Sequence, residues 1–131
     1  MTIRILISFL ALIVLSSCNY FNPSGLKNIS SAELYQLMKS RDIFLVEVHI
    51  PEQRHIKGTD LFVPFNEISK NLHKFPSDKG TEIYLYCEGS PMARSAARDL
   101  IEAGYQNLYN LEGGIIQWTV EGFPLEPSPK K

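Results

Sequence analysis

"IYLYCEGSPMARSAARDL", Ile83 to Leu100, decides how the rest of the chain is read. It opens on apolar residues with no polar alternation, the pattern of a strand covered on both faces. The strand ends on a lone cysteine, Cys87, followed by Glu88, Gly89, Ser90 and Pro91. Ser90 before Pro91 predicts a helix N-cap with proline at the first helical position, where its missing N–H costs nothing. Beyond it, Ala93, Ala96, Ala97 and Leu100 fall at i, i+3, i+4 and i+7, so Met92 to Ala103 reads as a helix with one buried stripe. The unit is therefore strand, tight loop, helix, with a thiol where the strand stops.

The same alternation continues on both sides. Downstream, "NLYNL" (Asn107 to Leu111) predicts a short strand, and a last helix follows Gly113-Gly114. Upstream, "IFLVEV" (Ile43 to Val48) is another apolar strand. "SSAELYQLMKS" opens a helix with Ser30 as N-cap, Glu33 completing a capping box, and Leu34, Leu37 and Met38 on one face. "FNEISKNLHKF" predicts a further helix, capped by Asn66, with Ile68, Leu72 and Phe75 inward. Strands alternating with helices give an α/β fold: a parallel β-sheet flanked by α-helices on both faces. Ligands in such sheets bind beyond the carboxyl ends of the strands, and Cys87 stands at one of those ends.

A loop this short, with Gly89 free in its dihedrals, would wrap the backbone N–H groups of Glu88 to Ala93 around the sulfur. Such amides and a helix amino end lower a thiol pKa from about 8.5. They would equally hold a persulfide, Cys–S–S⁻, formed by attack on a sulfur donor. Glu88 and Pro91 oppose this, one by its charge and the other by removing a donor. A buried, inert cysteine is the alternative, and the residues alone leave both open. Arg94 lies beside the buried stripe with Arg98 and Glu102 at successive i+4 steps, which reads as a solvated face, although a first-turn residue can lean toward the loop. His49 and His55 stand six apart and His73 lies on another element, so no metal-ligand spacing is present and no metal is expected. A phosphatase-type Cys-x5-Arg loop would need arginine at position 93, which is Ala93.

The amino end is set apart from the fold. Residues 1–17 carry a positive charge at Arg4 and then an apolar run, Ile5 to Leu15, too short to span a bilayer, which takes about 20 apolar residues. The run closes on Leu15-Ser16-Ser17-Cys18, which resembles the lipobox of bacterial lipoproteins; a plain signal peptide with a chance cysteine is the alternative. The lipobox implies an exported protein lipidated on Cys18 and held at the bacterial cell envelope, with Asn19 pointing to the outer membrane. Cys87 would then have no cysteine partner in the chain. Residues 18–28, polar with Pro and Gly, read as a tether, 29–125 as the folded domain, and 126–131 as a flexible tail. The formal charge of −1 over 131 residues leaves no basic footprint for nucleic acid.

From about Ile29 to Pro124 the chain resembles the rhodanese-like domain. The carboxyl half carries it: "YCEGSPMARSAARDLIEAGYQNLYNLEGGIIQWTVEGFPLE", with Gly113-Gly114, Trp118, Gly122 and Pro124 in the family's pattern "LEGGxxxWxxxGxP". Upstream, "LVEVHIPEQRHIKGTDLFVPFNEI" is similar to "IDVRxPxEYxxGHIxGAxxIPxxEL", with Glu47 for Asp and His49 for Arg. The resemblance implies a sulfurtransferase in which Cys87 takes sulfane sulfur from a small donor such as thiosulfate and passes it to a thiol acceptor, small or protein-borne. It implies no metal or organic cofactor. It assigns His55 a structural role and puts His49 near the pocket. The loop departs from the family's Cys-x-x-Gly-x-(Arg, Thr or Ser): the glycine is shifted by one, and Met92 stands where a polar rim residue would be. A catalytically inactive binding or sensor module on the same fold is the other reading.

Overall fold

The computed structural model describes residues 23–127. In chain order it contains β1 (Leu26–Ile29), α1 (Ser31–Ser40), β2 (Phe44–Glu47), β3 (Leu61–Phe62), a 3-10 segment (Ser69–Lys74), β4 (Glu82–Tyr86), α2 (Pro91–Glu102), β5 (Asn107–Leu111) and α3 (Gly114–Val120). The five strands form one parallel sheet in the order β1-β5-β4-β2-β3. The α/β architecture expected from the alternating pattern is the one observed.

Side-chain alternation along β4 explains why its sequence is apolar throughout. Ile83, Leu85 and Cys87 face one core, packed with Ala93, Ala96, Ala97 and Leu100 of α2, Val46 and Val48. Tyr84 and Tyr86 face the other, packed with Leu34 of α1 and Ile115 and Trp118 of α3. Both faces are covered, so every residue needs an apolar body. The capping box forms as expected: the Glu33 N–H donates to Ser30 Oγ at 3.3 Å, and the Ser30 N–H donates to Glu33 Oε2 at 2.9 Å.

Four readings of the sequence are corrected. The tether is shorter, because Leu26 to Asn28 pair in register with Leu108 to Asn110 as the outer strand β1. "FNEISKNLHKF" does not form an α-helix with Asn66 as its cap. It forms a 3-10 segment broken at Asn71 (φ −119°, ψ 17°), whose side-chain amide donates to the Glu67 carbonyl at 2.8 Å. Ile68 and Phe75 are still buried, so the apolar spacing is used by tighter turns. The two-residue strand β3, beside β2 at the sheet edge, is too brief to leave a periodic signal. Glu126, read as the first residue of the tail, is bonded to the domain: its N–H donates to the His55 carbonyl at 2.8 Å, and the Gly58 N–H donates to Glu126 Oε1 at 3.3 Å.

Candidate active site

Cys87 sits at the carboxyl end of β4 with 1% of its surface exposed, at the floor of a pocket of about 190 Å³. The pocket is lined by His49, Glu88, Gly89, Pro91 and Met92 with the cysteine. The expected cradle is present. N–H groups of Ala93, Met92 and Gly89 hydrogen-bond the sulfur, and the Arg94 charge acts on it. A larger hollow of about 430 Å³ near the amino ends of β2 and β4, lined by Arg41, Phe44, Glu82 and Tyr84 among others, contains no nucleophilic thiol.

The loop's amides face the sulfur because its carbonyls are held elsewhere. The Ile115 N–H donates to the Cys87 carbonyl at 2.9 Å and the Ile116 N–H to the Glu88 carbonyl at 3.2 Å. A trans peptide plane points its C=O and the following N–H in opposite directions. Binding the Glu88 carbonyl to α3 therefore turns the Gly89 N–H toward the pocket. Gly114, at φ +55°, lets α3 come this close: a Cβ there would lie 2.5 Å from the carbonyl oxygens of Cys87, Glu88 and Gly89. The glycine pair 27 residues downstream of the nucleophile is thus the back wall of the active loop. The sequence pattern marked these glycines without showing what they touch.

Ser90 holds the N-cap place of α2 and Pro91 the first helical position, but the serine side chain makes no capping bond. Its Oγ instead accepts from the Asn110 side-chain amide at 3.4 Å. Arg94 is half-buried and its charge acts on Cys87, the lean toward the loop that a first-turn residue allows, although it does not line the pocket; Arg98 and Glu102 are exposed. Glu88 pairs with His49. Its carboxylate lies 3.5 Å from His49 Nε2, with the acidic side chain 59% exposed at the pocket mouth. His49 is held on its other nitrogen, Nδ1 donating to the Pro51 carbonyl at 2.8 Å.

The electrostatics of the sulfur set opposing effects against each other. Burial pushes the Cys87 thiol up from its ordinary value, and the three amides and Arg94 offset this only in part. Burial is the larger of the opposing effects, and the loop's donors act against it in favour of the ionised sulfur. The cradle remains suited to a sulfur anion formed during reaction, since its donors need no reorganisation.

On the Tyr86 face of the sheet lies a group the sequence reading did not assemble. Glu47, fully buried, meets His55 Nδ1 and accepts from the Tyr86 hydroxyl at 3.1 Å. The second nitrogen of His55 faces Glu52 at 3.0 Å. This bears out the structural role given to His55 and shows what Glu47 does. Cys18 lies outside the described residues. Among the described residues no cluster of three or more His, Cys, Asp or Glu side chains could hold a metal ion.

The family model of the rhodanese-like domain matches residues 23–121. A sulfurtransferase of Allochromatium vinosum is 29% identical over 100 residues, covering 74% of this chain and 92% of its own length. The thiosulfate sulfurtransferase GlpE of Coxiella burnetii is 30% identical over 95 residues, covering 70% of this chain and 86% of its own. The crystal structure of a rhodanese-like domain protein from Staphylococcus aureus superposes with a TM-score of 0.62 at 28% identity, covering 79% of this chain and 99% of that one. These relatives support a sulfurtransferase type of function for a pocket built on a buried strand-end thiol. With the family model, the relatives and the fold in agreement, the chain belongs to the rhodanese-like domain family.

Proposed function

We propose that this chain is a thiol sulfurtransferase that carries sulfane sulfur as a persulfide on Cys87, taking it from a small donor and passing it to a thiol acceptor. The observation that carries this reading is the convergence of the Gly89, Met92 and Ala93 N–H groups on the Cys87 sulfur at the floor of a small pocket. Three donors at a structurally inert cysteine would serve nothing, whereas a persulfide terminus is an anion that needs them. The second reading, a binding or sensor module, is favoured by one feature: burial pushes the Cys87 thiol up from its ordinary value.

Intact-mass analysis separates the two. Incubation of the detergent-solubilised full chain with sulfane donors is expected to add one sulfur, located by digestion to the peptide holding Cys87 and absent from Cys87→Ser. No addition from any donor, together with slow alkylation of Cys87 at neutral pH, would sink the enzyme reading in favour of the module.

The same proposal has the domain exported and tethered to the cell envelope through lipid on Cys18, with the outer membrane favoured. It rests on Leu15-Ser16-Ser17-Cys18 closing a short apolar run after Arg4. Because several acyl chains give stable anchoring, Cys18→Ala is expected to move the protein from the detergent phase to the aqueous phase on partitioning. Continued partitioning of that variant into detergent would rule the anchor out.

A further inference from the structure

The first turn of a helix leaves its N–H groups without helical partners, and a serine at the N-cap ordinarily takes that of the second or third residue on its hydroxyl. Ser30 does so at the head of α1: with ψ 161°, it accepts from the Glu33 N–H at 3.3 Å. Ser90 holds the same place at the head of α2, yet its ψ is −21° and its side chain makes no capping bond. Pro91 has no N–H to give, and the Arg94 N–H donates to the Ser90 carbonyl at 3.1 Å. The second and third positions of α2 are Met92 and Ala93, and their N–H groups hydrogen-bond the Cys87 sulfur. The sulfur thus takes the donors that a serine hydroxyl takes when it caps a helix. Cys87 and Ser90 are rival acceptors for one pair of N–H groups.

A polar residue in an apolar layer decides between them. Asn110, on β5, shares its face of the sheet with Leu108 and lies in register with Leu85, two residues before Cys87. It is fully buried. Its Nδ2 donates to Ser90 Oγ at 3.4 Å and to Oδ1 of Asn28, on β1, at 3.0 Å. Its own Oδ1 has no hydrogen-bond partner among the described residues, a cost that an apolar side chain would avoid.

Resting on the sulfurtransferase reading above, we propose that Asn110 is a positioning residue for sulfur transfer: anchored by Asn28, it holds the Ser90 hydroxyl off the head of α2 and reserves the Met92 and Ala93 N–H groups for Cys87. Released from Asn110, Ser90 turns to the extended backbone that Ser30 already has and caps α2. It then takes donors that a thiolate or a persulfide needs. The helix end is satisfied in either arrangement, and only the sulfur loses.

The test uses the full chain in detergent, with Asn110→Ala, Ser90→Ala and the double variant, and thermal melts to confirm folding. Persulfide loading of Cys87 from sodium thiosulfate and from glutathione persulfide is followed by rapid quenching and intact mass, and the free thiol by the pH dependence of its alkylation with iodoacetamide. Asn110→Ala is expected to slow loading about ten-fold in the parent, but less than about two-fold in a chain already carrying Ser90→Ala, where no hydroxyl is left to compete. The alkylation midpoint is expected to move to higher pH in Asn110→Ala and to stay in place when Ser90→Ala is also present. Asn110→Val, which suits a strand and fills the space, carries the same expectations should the smaller residue unfold the domain. Slowing of equal size with and without the Ser90 hydroxyl would make Asn110 a packing residue and overturn the proposal. Unchanged loading and alkylation in Asn110→Ala would overturn it too. A parent that takes sulfur from neither donor overturns the sulfurtransferase reading, and the alkylation midpoints then still decide whether Asn110 guards the donors.

Discussion

Gly114→Ala is expected to lower the thermal midpoint by about 15 °C and to slow persulfide loading by about a hundredfold. Two costs combine. The residue sits at φ +55°, where an L side chain costs roughly 1–2 kcal/mol. The new Cβ would also lie 2.5 Å from three carbonyl oxygens, all of them backbone and none able to swing aside as a side chain could. Overpacking of this kind costs about 1–3 kcal/mol more. Relief requires the loop to retreat from α3, which breaks the bonds from Ile115 and Ile116 that orient it. The Gly89 N–H then turns off the sulfur, and losing one fixed donor at a developing anion accounts for the rate. Gly104→Ala isolates the first cost: φ is +97°, but the space around its Cβ is open. That variant is expected to melt only about 5–10 °C below the parent and to load at the parental rate. If Gly114→Ala behaved like Gly104→Ala, the contact between α3 and the loop would not be what shapes the cradle.

The contrast shows where a linear reading succeeds and where it stops. Residues 83–100 were legible because each signal in them is local: an apolar run, a proline at a helix start, an alanine stripe at helical spacing. The capping box at Ser30 and Glu33 was legible for the same reason. Elsewhere the deciding interaction is distant in sequence. Leu26 to Asn28 of β1 read as tether because β1 gains its strand conformation only by pairing with Leu108 to Leu111. The segment around Asn71 keeps helical apolar spacing, yet its backbone winds more tightly, a difference that two buried residues seven apart cannot report. In the site, the loop, its cysteine and the nearness of His49 were readable, but the balance of effects on the thiol was not. Local chemistry predicts amides lowering the pKa, and they do act in that direction. The larger opposing effect is desolvation by the two-sided core, which exists only once the sheet is covered.

Glu47→Ala is expected to destabilise the domain by about 3–5 kcal/mol, a large share of the roughly 5–15 kcal/mol that holds a domain of this size. Glu47 lies fully buried on β2 and is the acceptor for both His55 Nδ1 and the Tyr86 hydroxyl. Burial raises its carboxyl from the ordinary range, while the His55 charge and the surrounding hydrogen bonds pull the other way. Truncation leaves those donors facing a dry cavity, and unmet buried donors are what make such a loss expensive. His55→Ala should also be costly, but the double variant should lose less than the two singles together, with a coupling of about 1–3 kcal/mol measured by chemical denaturation. Additive losses would mean that the carboxylate and the imidazole act separately. A Glu47→Ala protein within about 0.5 kcal/mol of the parent would show the cluster to be ornamental. The effect should reach the chemistry as well. Glu47 is two residues before His49, Tyr86 is one before Cys87, and the Val48 N–H donates to the Tyr86 carbonyl at 3.0 Å between them. The buried cluster ties β2 and β4 together near their carboxyl ends, on the Tyr86 face of the sheet and next in sequence to His49 and Cys87. Loosening it frees the imidazole side of the mouth from the thiol side, so loading of Cys87 should slow even at temperatures where the variant remains folded.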